Sequence, residues 1–83
     1  MQDVIDYVVM RKYKGKTIEV KVRDYNKKGT RLTTIACEYN PNVIGFRNGT
    51  DEQVDYYIRK QFWIAKKYID ENSFVKKLGK LFR

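Results

Sequence analysis

Residues 50 to 72, TDEQVDYYIRKQFWIAKKYIDEN, decide the fold because they form the one long segment with a clear helical period. Thr50, followed three residues later by Gln53, has the form of a capping box and predicts a helix start. At about 100° per residue, one broad apolar face is interrupted only by Gln61. A helix with so wide an apolar stripe needs a surface to pack on. The face comprises Val54, Tyr57, Ile58, Phe62, Ile64, Ala65, Tyr68 and Ile69.

The first half of the chain predicts that surface as a β-sheet. Residues 17 to 23, TIEVKVR, alternate between apolar and polar side chains, which is typical of a strand with one buried and one solvent-exposed face. Residues 4 to 12 and 30 to 39 are rich in β-branched and aromatic side chains, and they predict two more strands. The helix is therefore expected to cover one face of an antiparallel sheet. The residues expected to be buried together are Ile18, Val20, Val22, Ile35, Val54, Ile58, Phe62, Ala65 and Ile69.

Turn residues separate these strands and set the fold class. Lys14-Gly15 and the segment 24–29, DYNKKG, have turn composition. Pro41 is expected to end the third strand because it cannot donate to a ladder, and residues 43–46 are a candidate edge strand. We predict an α+β fold in which an antiparallel sheet of three to four strands (residues 3–47) carries one long helix (residues 51–71) on one face, all within a single domain of residues 1–72.

Residues 73 to 83, SFVKKLGKLFR, form a basic amphipathic C-terminal tail or short helix in this scheme. Gly79 lowers its helix stability by about 1 kcal/mol relative to Ala, so the tail needs a docking site. Tyr56 and Trp63 lie seven residues apart on the polar face of the long helix, and we expect the tail to fold back over them. The alternative is that these aromatic residues mark a protein-binding surface, because exposed Trp and Tyr are typical of interfaces. The candidate residues of this protein-binding surface are Tyr56, Lys60, Trp63 and Lys67.

The net charge of +8 and the pI near 9.7 favour a polyanionic partner ahead of an acidic protein or an anionic membrane. The single cysteine, Cys37, excludes an internal disulfide and suits a reducing compartment. Acidic residues precede the N-terminal apolar run, the reverse of a signal peptide, and no stretch approaches the ~18 apolar residues of a membrane span. We therefore expect a cytoplasmic protein.

The basic excess is concentrated between Arg11 and Arg31, where nine Lys or Arg residues accompany two acids. In the predicted hairpins this segment forms one basic surface on the outer face of the sheet and its turns. Lys and Arg side chains that neutralise phosphates release counterions, and tyrosines among them can stack on bases. The predicted nucleic-acid-binding residues are Arg11, Lys12, Tyr13, Lys14, Lys16, Lys21, Arg23, Tyr25, Lys27, Lys28 and Arg31.

The segments GKTIEVKVRDYNKKGTRLTTIACEYN (residues 15–40) and TDEQVDYYIRKQF (residues 50–62) resemble apetala-type DNA-binding domains and the arm-binding domains of conjugative-transposon integrases. The resemblance implies three antiparallel strands and one helix, with DNA read by the outer face of the sheet and base contacts at Lys21 and Arg23. The segment 41–49, PNVIGFRNG, is longer than the loop of that family. The matching positions are Gly15, Lys16, Arg23, Asp24, Gly29, Thr50 and Glu52.

Catalytic and metal-binding residue patterns are missing from the sequence. The chain has no His, which excludes Ser–His and Cys–His catalysis, and one Cys cannot form a zinc site. We expect no enzyme activity, cofactor or metal, and Cys37 is expected to be a small buried residue. We predict a small nucleic-acid-binding accessory protein encoded by a phage or mobile element, with DNA favoured over RNA.

Two other functions remain open at this point. One is a protein-binding module or inhibitor, such as a phage protein that covers an acidic, nucleic-acid-like surface on a host nucleic-acid-handling enzyme. The other is binding to a membrane surface through the C-terminal tail.

Overall fold

The computed structural model of the protein describes residues 3–81, and side chains within residues 4–72. The four strands are β1 (Asp3–Tyr13), β2 (Lys16–Lys27), β3 (Thr30–Cys37) and β4 (Asn40–Arg47), and the helix is α1 (Asp51–Leu81). The sheet order is β1-β2-β3-β4, and each neighbouring pair is antiparallel. The predicted α+β class, with one long helix packed against an antiparallel sheet, is confirmed.

Two-residue turns join the first three strands. Lys14 and Gly15 have φ angles of 50° and 77°, and Lys28 and Gly29 have φ angles of 51° and 76°. Two successive residues with positive φ are typical of the type I′ turn, whose twist matches that of a hairpin. The predicted turn at residues 24–29 was too long, because β2 continues to Lys27 and two residues suffice to reverse the chain.

The fourth strand begins earlier than the candidate edge strand of the sequence. It starts at Asn40, so Pro41 lies inside β4 and does not end β3 as predicted. The pairing of β3 with β4 shifts register between Ile35 and Cys37. Pro41 fits there because β4 is an edge strand, where a residue without a backbone N–H need not leave a ladder bond unmade.

The core lies between α1 and strands β2, β3 and β4. Nine residues predicted to be buried together are all buried, and Cys37 joins them as predicted. Tyr68, which the helical period places on the apolar face, is instead 48% exposed, and its ring centroid lies 5.6 Å from that of Tyr39. The nine confirmed core residues are Ile18, Val20, Val22, Ile35, Val54, Ile58, Phe62, Ala65 and Ile69.

Gln61 connects the helix to the sheet from inside the core. Its side chain has no exposed area. Its Nε2 donates to the carbonyl oxygen of Ile35 at 2.9 Å, and its Oε1 accepts from Asn40 Nδ2 at 2.9 Å. Ile35 is the last residue before the register shift between β3 and β4, so this amide bonds a carbonyl beside the interrupted ladder.

The helix begins at the predicted capping box. The backbone N–H of Gln53 donates to Thr50 Oγ1 at 3.2 Å, and the backbone N–H of Thr50 donates to Gln53 Oε1 at 2.9 Å. The helix ends at Leu81, beyond the predicted end at residue 71. The expected fold-back of the tail is wrong, because Tyr56 and Trp63 are 56% and 61% exposed.

The membrane-surface hypothesis depends on side chains at positions 73–83, which lie outside the described ones. None of the described helices combines the length and the apolar content that crossing a bilayer requires.

Strand β1 extends beyond the area that the helix covers. The helix packs mainly on β2, β3 and β4. A groove of about 700 Å³ lies between β1 and α1, with Tyr7, Val9 and Arg11 on the strand side. The exposed apolar residues of β1 are Val4, Ile5, Tyr7, Val8 and Met10, with exposed fractions between 39% and 59%.

Candidate functional site

The predicted basic residues do not share one face of the sheet. Directly opposed residues in antiparallel strands point to the same side, so the strand register assigns each residue to a face. The prediction of one basic surface on the outer face is therefore wrong, because neighbouring residues of a strand alternate between faces. The outer face carries Lys12, Lys21, Arg23 and Tyr25; the helix side carries Arg11, Tyr13, Lys16 and Arg31; Lys14, Lys27 and Lys28 lie at the turns.

Arg31 is held in an ion-pair cluster that joins the sheet to the start of the helix. Its Nη2 lies 2.7 Å from Asp24 Oδ2 and 2.9 Å from Asp51 Oδ1, and its Nη1 donates to the carbonyl of Gly49 at 3.0 Å. The hydrogen bond from Arg31 holds the pKa of Asp24 below its ordinary value, despite the opposing effect of burial. With 26% of its side chain exposed, Arg31 is engaged by the fold and is not offered to a phosphate.

Carboxylates also pair with other predicted contact residues. Arg23 Nε donates to Asp6 Oδ1 at 3.0 Å on the outer face, and this bond raises the pKa of the guanidinium. Lys14 Nζ donates to Asp70, and the hydroxyl of Tyr13 donates to Asp70 Oδ2 at 2.9 Å. The hydrogen bond from Lys14 is the main cause of a lowered Asp70 pKa. These pairs reduce the positive charge that the strands present to solvent.

The outer face of the sheet is more apolar than predicted. Lys21 lies in a depression of about 510 Å³ whose lining also includes Val8, Ala36 and Val43. Val8 and Val43 are 47% and 59% exposed. The family resemblance implies base contacts at Lys21 and Arg23. Lys21 lies beside apolar side chains, and Arg23 is already paired with Asp6.

A denser basic surface lies on α1 around Trp63. Trp63 is 61% exposed, and Lys67 Nζ lies 5.3 Å from the centroid of its ring. Arg59 and Lys60 join Tyr56 and Trp63 around a shallow depression of about 400 Å³. The predicted protein-binding residues are thus brought together, because positions three, four and seven apart lie on one side of a helix.

The groove between β1 and α1 extends this surface to the sheet. Arg59 and Trp63 line both the depression and the groove, and Lys66 and Arg11 line the groove from opposite sides. The guanidinium carbon of Arg11 lies 5.5 Å from the centroid of the Phe62 ring. We call this area the Trp63 surface; it comprises Arg11, Tyr56, Arg59, Lys60, Trp63, Lys66 and Lys67.

Two further residues set the chemistry of the groove. Asp55 contributes a carboxylate to its lining. Burial, followed by the charge of Asp24, raises the pKa of Tyr7, so this phenol stays protonated at neutral pH and can donate a hydrogen bond. The groove therefore offers cations, one carboxylate, an aromatic ring and a hydroxyl donor to a ligand.

Sequence reasoning missed Arg59 and Lys66 of the Trp63 surface, and it assigned Arg11 to the outer face of the sheet instead. Arg59 and Lys66 follow the helical spacing around Trp63, and that spacing could have grouped them with it. Arg11 belongs to another element, and nothing in the local sequence pattern relates it to the helix. Only the packing of α1 across the sheet brings Arg11 beside the groove.

No nucleophile or metal cluster stands out in the part of the chain that the structure describes. Among those residues, His, Cys, Asp and Glu form no group of three that could hold a metal ion. Cys37 is buried, and burial raises the pKa of its thiol. A thiol in such surroundings is a poor nucleophile.

No protein-family model, curated protein or solved structure matches this chain. The resemblance to apetala-type and integrase arm-binding domains stays a prediction. Strand β4 occupies the insertion by which the chain departs from the pattern of that family.

Proposed function

We propose that this protein binds single-stranded nucleic acid through the Trp63 surface. The observation that carries the proposal is the 61% exposure of Trp63 among cations on the neighbouring helical turns. A large aromatic ring left in water by folding is typical of a binding surface. On proteins that bind single strands, such rings form platforms on which unpaired bases stack.

The cations of the surface are placed to follow a phosphate backbone past that ring. Lys60 and Lys67 lie one turn before and after Trp63 along the helix, and Lys66 and Arg11 line the adjoining groove. Each phosphate neutralised by such a side chain releases counterions, which supplies affinity without base specificity. The surface can therefore hold several phosphates while one or two bases stack.

The proposed site differs from the outer sheet face predicted from the sequence. Arg23 and Arg31 are paired with carboxylates, and Lys21 lies among apolar side chains. A single strand suits the Trp63 surface better than a duplex, because stacking on Trp63 requires a base that is free of its partner strand.

The proposal retains the biological setting predicted from the sequence. The protein is then a non-enzymatic accessory protein of a phage or mobile element that acts on DNA in the cytoplasm. Its single cysteine, buried in the core, suits a reducing compartment.

Intrinsic fluorescence tests the proposal directly because Trp63 is the only tryptophan. Short oligonucleotides of single-stranded DNA, single-stranded RNA and duplex DNA are titrated at two salt concentrations. We expect single strands to quench Trp63, with a log–log salt slope of roughly −2 to −3 for three to four phosphate contacts. Absence of quenching and of binding at low salt would overturn the proposal.

Matched substitutions locate the site with labelled oligonucleotides. Trp63→Ala removes the stacking platform and should weaken binding by roughly 5- to 150-fold. Lys60→Glu, Lys27→Glu and Lys21→Glu change the net charge equally, but only Lys60 belongs to the Trp63 surface. We expect Lys60→Glu to weaken binding most; a larger effect of Lys21→Glu would instead locate the site on the outer sheet face.

A second candidate function is binding of an acidic protein at the same surface. Tyr56, Arg59 and Trp63 meet around one depression, and Tyr, Arg and Trp are the residues enriched in protein interaction hot spots. Such a partner would fit an inhibitor of a host enzyme that handles nucleic acid. This function is favoured if oligonucleotides do not bind, and if Trp63→Ala abolishes capture of an acidic protein that the wild-type chain retains from host lysate.

A further inference from the structure

Only one of the two edge strands of the sheet carries features that prevent pairing with another chain. Strand β4 contains Pro41 and Gly45 and has a shifted register with β3. These features protect an edge because they remove a donor and bend the strand. Strand β1 contains neither Pro nor Gly, and its register with β2 is unbroken from Asp3 to Tyr13.

The exposed side chains of β1 also favour pairing. Four uncharged residues, YVVM, separate Asp6 from Arg11, and apolar side chains are exposed on both faces of the strand. Ile5 and Tyr7 face the helix side, and Val8 and Met10 face the outer side. A long edge strand with exposed apolar residues and unpaired backbone groups is a template for another strand.

We propose that β1 pairs with β1 of a second copy of this chain, antiparallel, about a two-fold axis that passes between the two Val9 residues. A two-fold axis perpendicular to the sheet keeps each face on its own side, so opposed residues must share a face. With the axis at Val9, the pairs across the interface are Asp6 with Lys12, Tyr7 with Arg11, Val8 with Met10, and Ile5 with Tyr13.

Charge complementarity selects this register over its neighbours. It places the Asp6 carboxylate between its own Arg23 and the Lys12 of the second copy, both on the outer face. It also sets the apolar Val8 opposite Met10, and opposite-charge and apolar pairs directly across strands are stabilising. An axis at Val8 would place Asp6 opposite Met10. An axis at Met10 would place Asp6 opposite Lys14, which lies in the turn beyond β1 and is already paired with Asp70.

The helix leaves room for a second copy. It packs mainly on β2, β3 and β4, so the open edge of β1 is clear of it. In the pair, the two grooves face each other across the joined strands, with Tyr7 and Val9 of both copies as the floor. Trp63 and Lys66 of each copy then line the two sides of one shared trench.

The molar mass in solution tests the pairing without any nucleic acid, so its failure is independent of the proposed function. Light scattering and analytical ultracentrifugation are run between about 1 µM and 1 mM protein. Met10 and Val43 are 58% and 59% exposed on the outer face at opposite edges, and they form a matched pair. Met10→Lys should raise the dimer dissociation constant by at least about tenfold, because it disrupts two Val8–Met10 pairs.

Val43→Lys should leave the dimer dissociation constant unchanged. Met10→Lys is compatible with the monomer fold because Glu19 lies directly opposite position 10 on β2. Circular dichroism melts confirm that both variants fold. A wild-type chain that stays monomeric at 1 mM, or equal effects of the two lysines, would overturn the proposal.

A second measurement reports the register. In a Cys37→Ala background, Val9→Cys places two thiols across the axis at a separation that a disulfide can bridge, whereas Val43→Cys does not. Rapid formation of a disulfide-linked dimer by Val9→Cys alone supports the axis at Val9. Equal cross-linking of both variants would contradict it.

Discussion

Replacing Gln61 with leucine tests whether the buried amide holds the helix on the sheet. Leucine has a similar volume but cannot donate to the Ile35 carbonyl or accept from Asn40 Nδ2, each now bonded at 2.9 Å. The carbonyl oxygen is then left buried without this partner, which costs about 1–3 kcal/mol. Asn40 is half-buried and its side chain can hydrogen-bond with water instead. Loss of its bond to Gln61 therefore costs at most about 1 kcal/mol of stability.

The expected net loss is about 2 kcal/mol, because burial of leucine in place of an amide offsets part of the cost. In a domain of this size each kcal/mol lowers Tm by about 4–8 °C, so Tm should fall by roughly 8–16 °C. Urea unfolding followed by circular dichroism measures the free energy of unfolding. A Gln61→Leu variant as stable as wild type would refute the reasoning.

A double-mutant cycle separates the two hydrogen bonds of Gln61. Asn40→Ala removes the partner of Oε1 and leaves the bond to Ile35 intact. The coupling energy between positions 40 and 61 should be about 0.5–1.5 kcal/mol. The rest of the stability lost in Gln61→Leu is then due to the unbonded Ile35 carbonyl. If Asn40→Ala alone reproduces the full loss of Gln61→Leu, the Ile35 bond contributes nothing.

Two further predictions concern the turn before the helix and acid stability. Gly49→Ala should destabilise the fold by about 1–3 kcal/mol, because the added methyl would overlap the Phe46 ring. Gly45→Ala is the control in thermal melts, since the nearest neighbours of a methyl group added there lie at 3.8 Å. Equal melting temperatures of the two variants would contradict the prediction. The pKa of Asp24 is lower folded than unfolded, so its stabilising contribution is present above about pH 3.8 and is lost as pH falls through the folded value. Urea titrations from pH 5 to pH 2 should show a flatter decline for Asp24→Asn than for wild type; parallel declines would show that the pair with Arg31 does not matter.

Much of the fold could be predicted because burial on one face repeats locally along the chain. Ile18, Val20 and Val22 alternate in β2 as predicted, and all three are buried. Within residues 51–72, the helical period identified every buried apolar residue of α1. The Thr50–Gln53 capping box was confirmed by both of its hydrogen bonds. These features depend on the spacing of residues within one strand or one helix, and that spacing can be seen in the sequence.

The candidate site could not be predicted from such spacings, because it depends on how far the helix reaches across the sheet. Val8 and Met10 look like core residues in the sequence, yet they are exposed on the outer face of β1. Arg31 looks like one more surface cation, yet it forms ion pairs with Asp24 and Asp51. Both outcomes depend on contacts between elements that are distant in sequence.

The up-and-down order of the four strands bears on how fast the chain folds. Each strand pairs with its sequence neighbours, so every pairing in the sheet closes a short loop. Hairpins of this kind form in about 1–10 µs, and loop-closure entropy opposes them little. The packing of α1 on the sheet is the longest-range step, because it joins residues as far apart in sequence as Tyr13 and Asp70. We infer that docking of the helix limits the folding rate, and that substitutions in the two Lys-Gly turns alter that rate less than substitutions at the interface between helix and sheet.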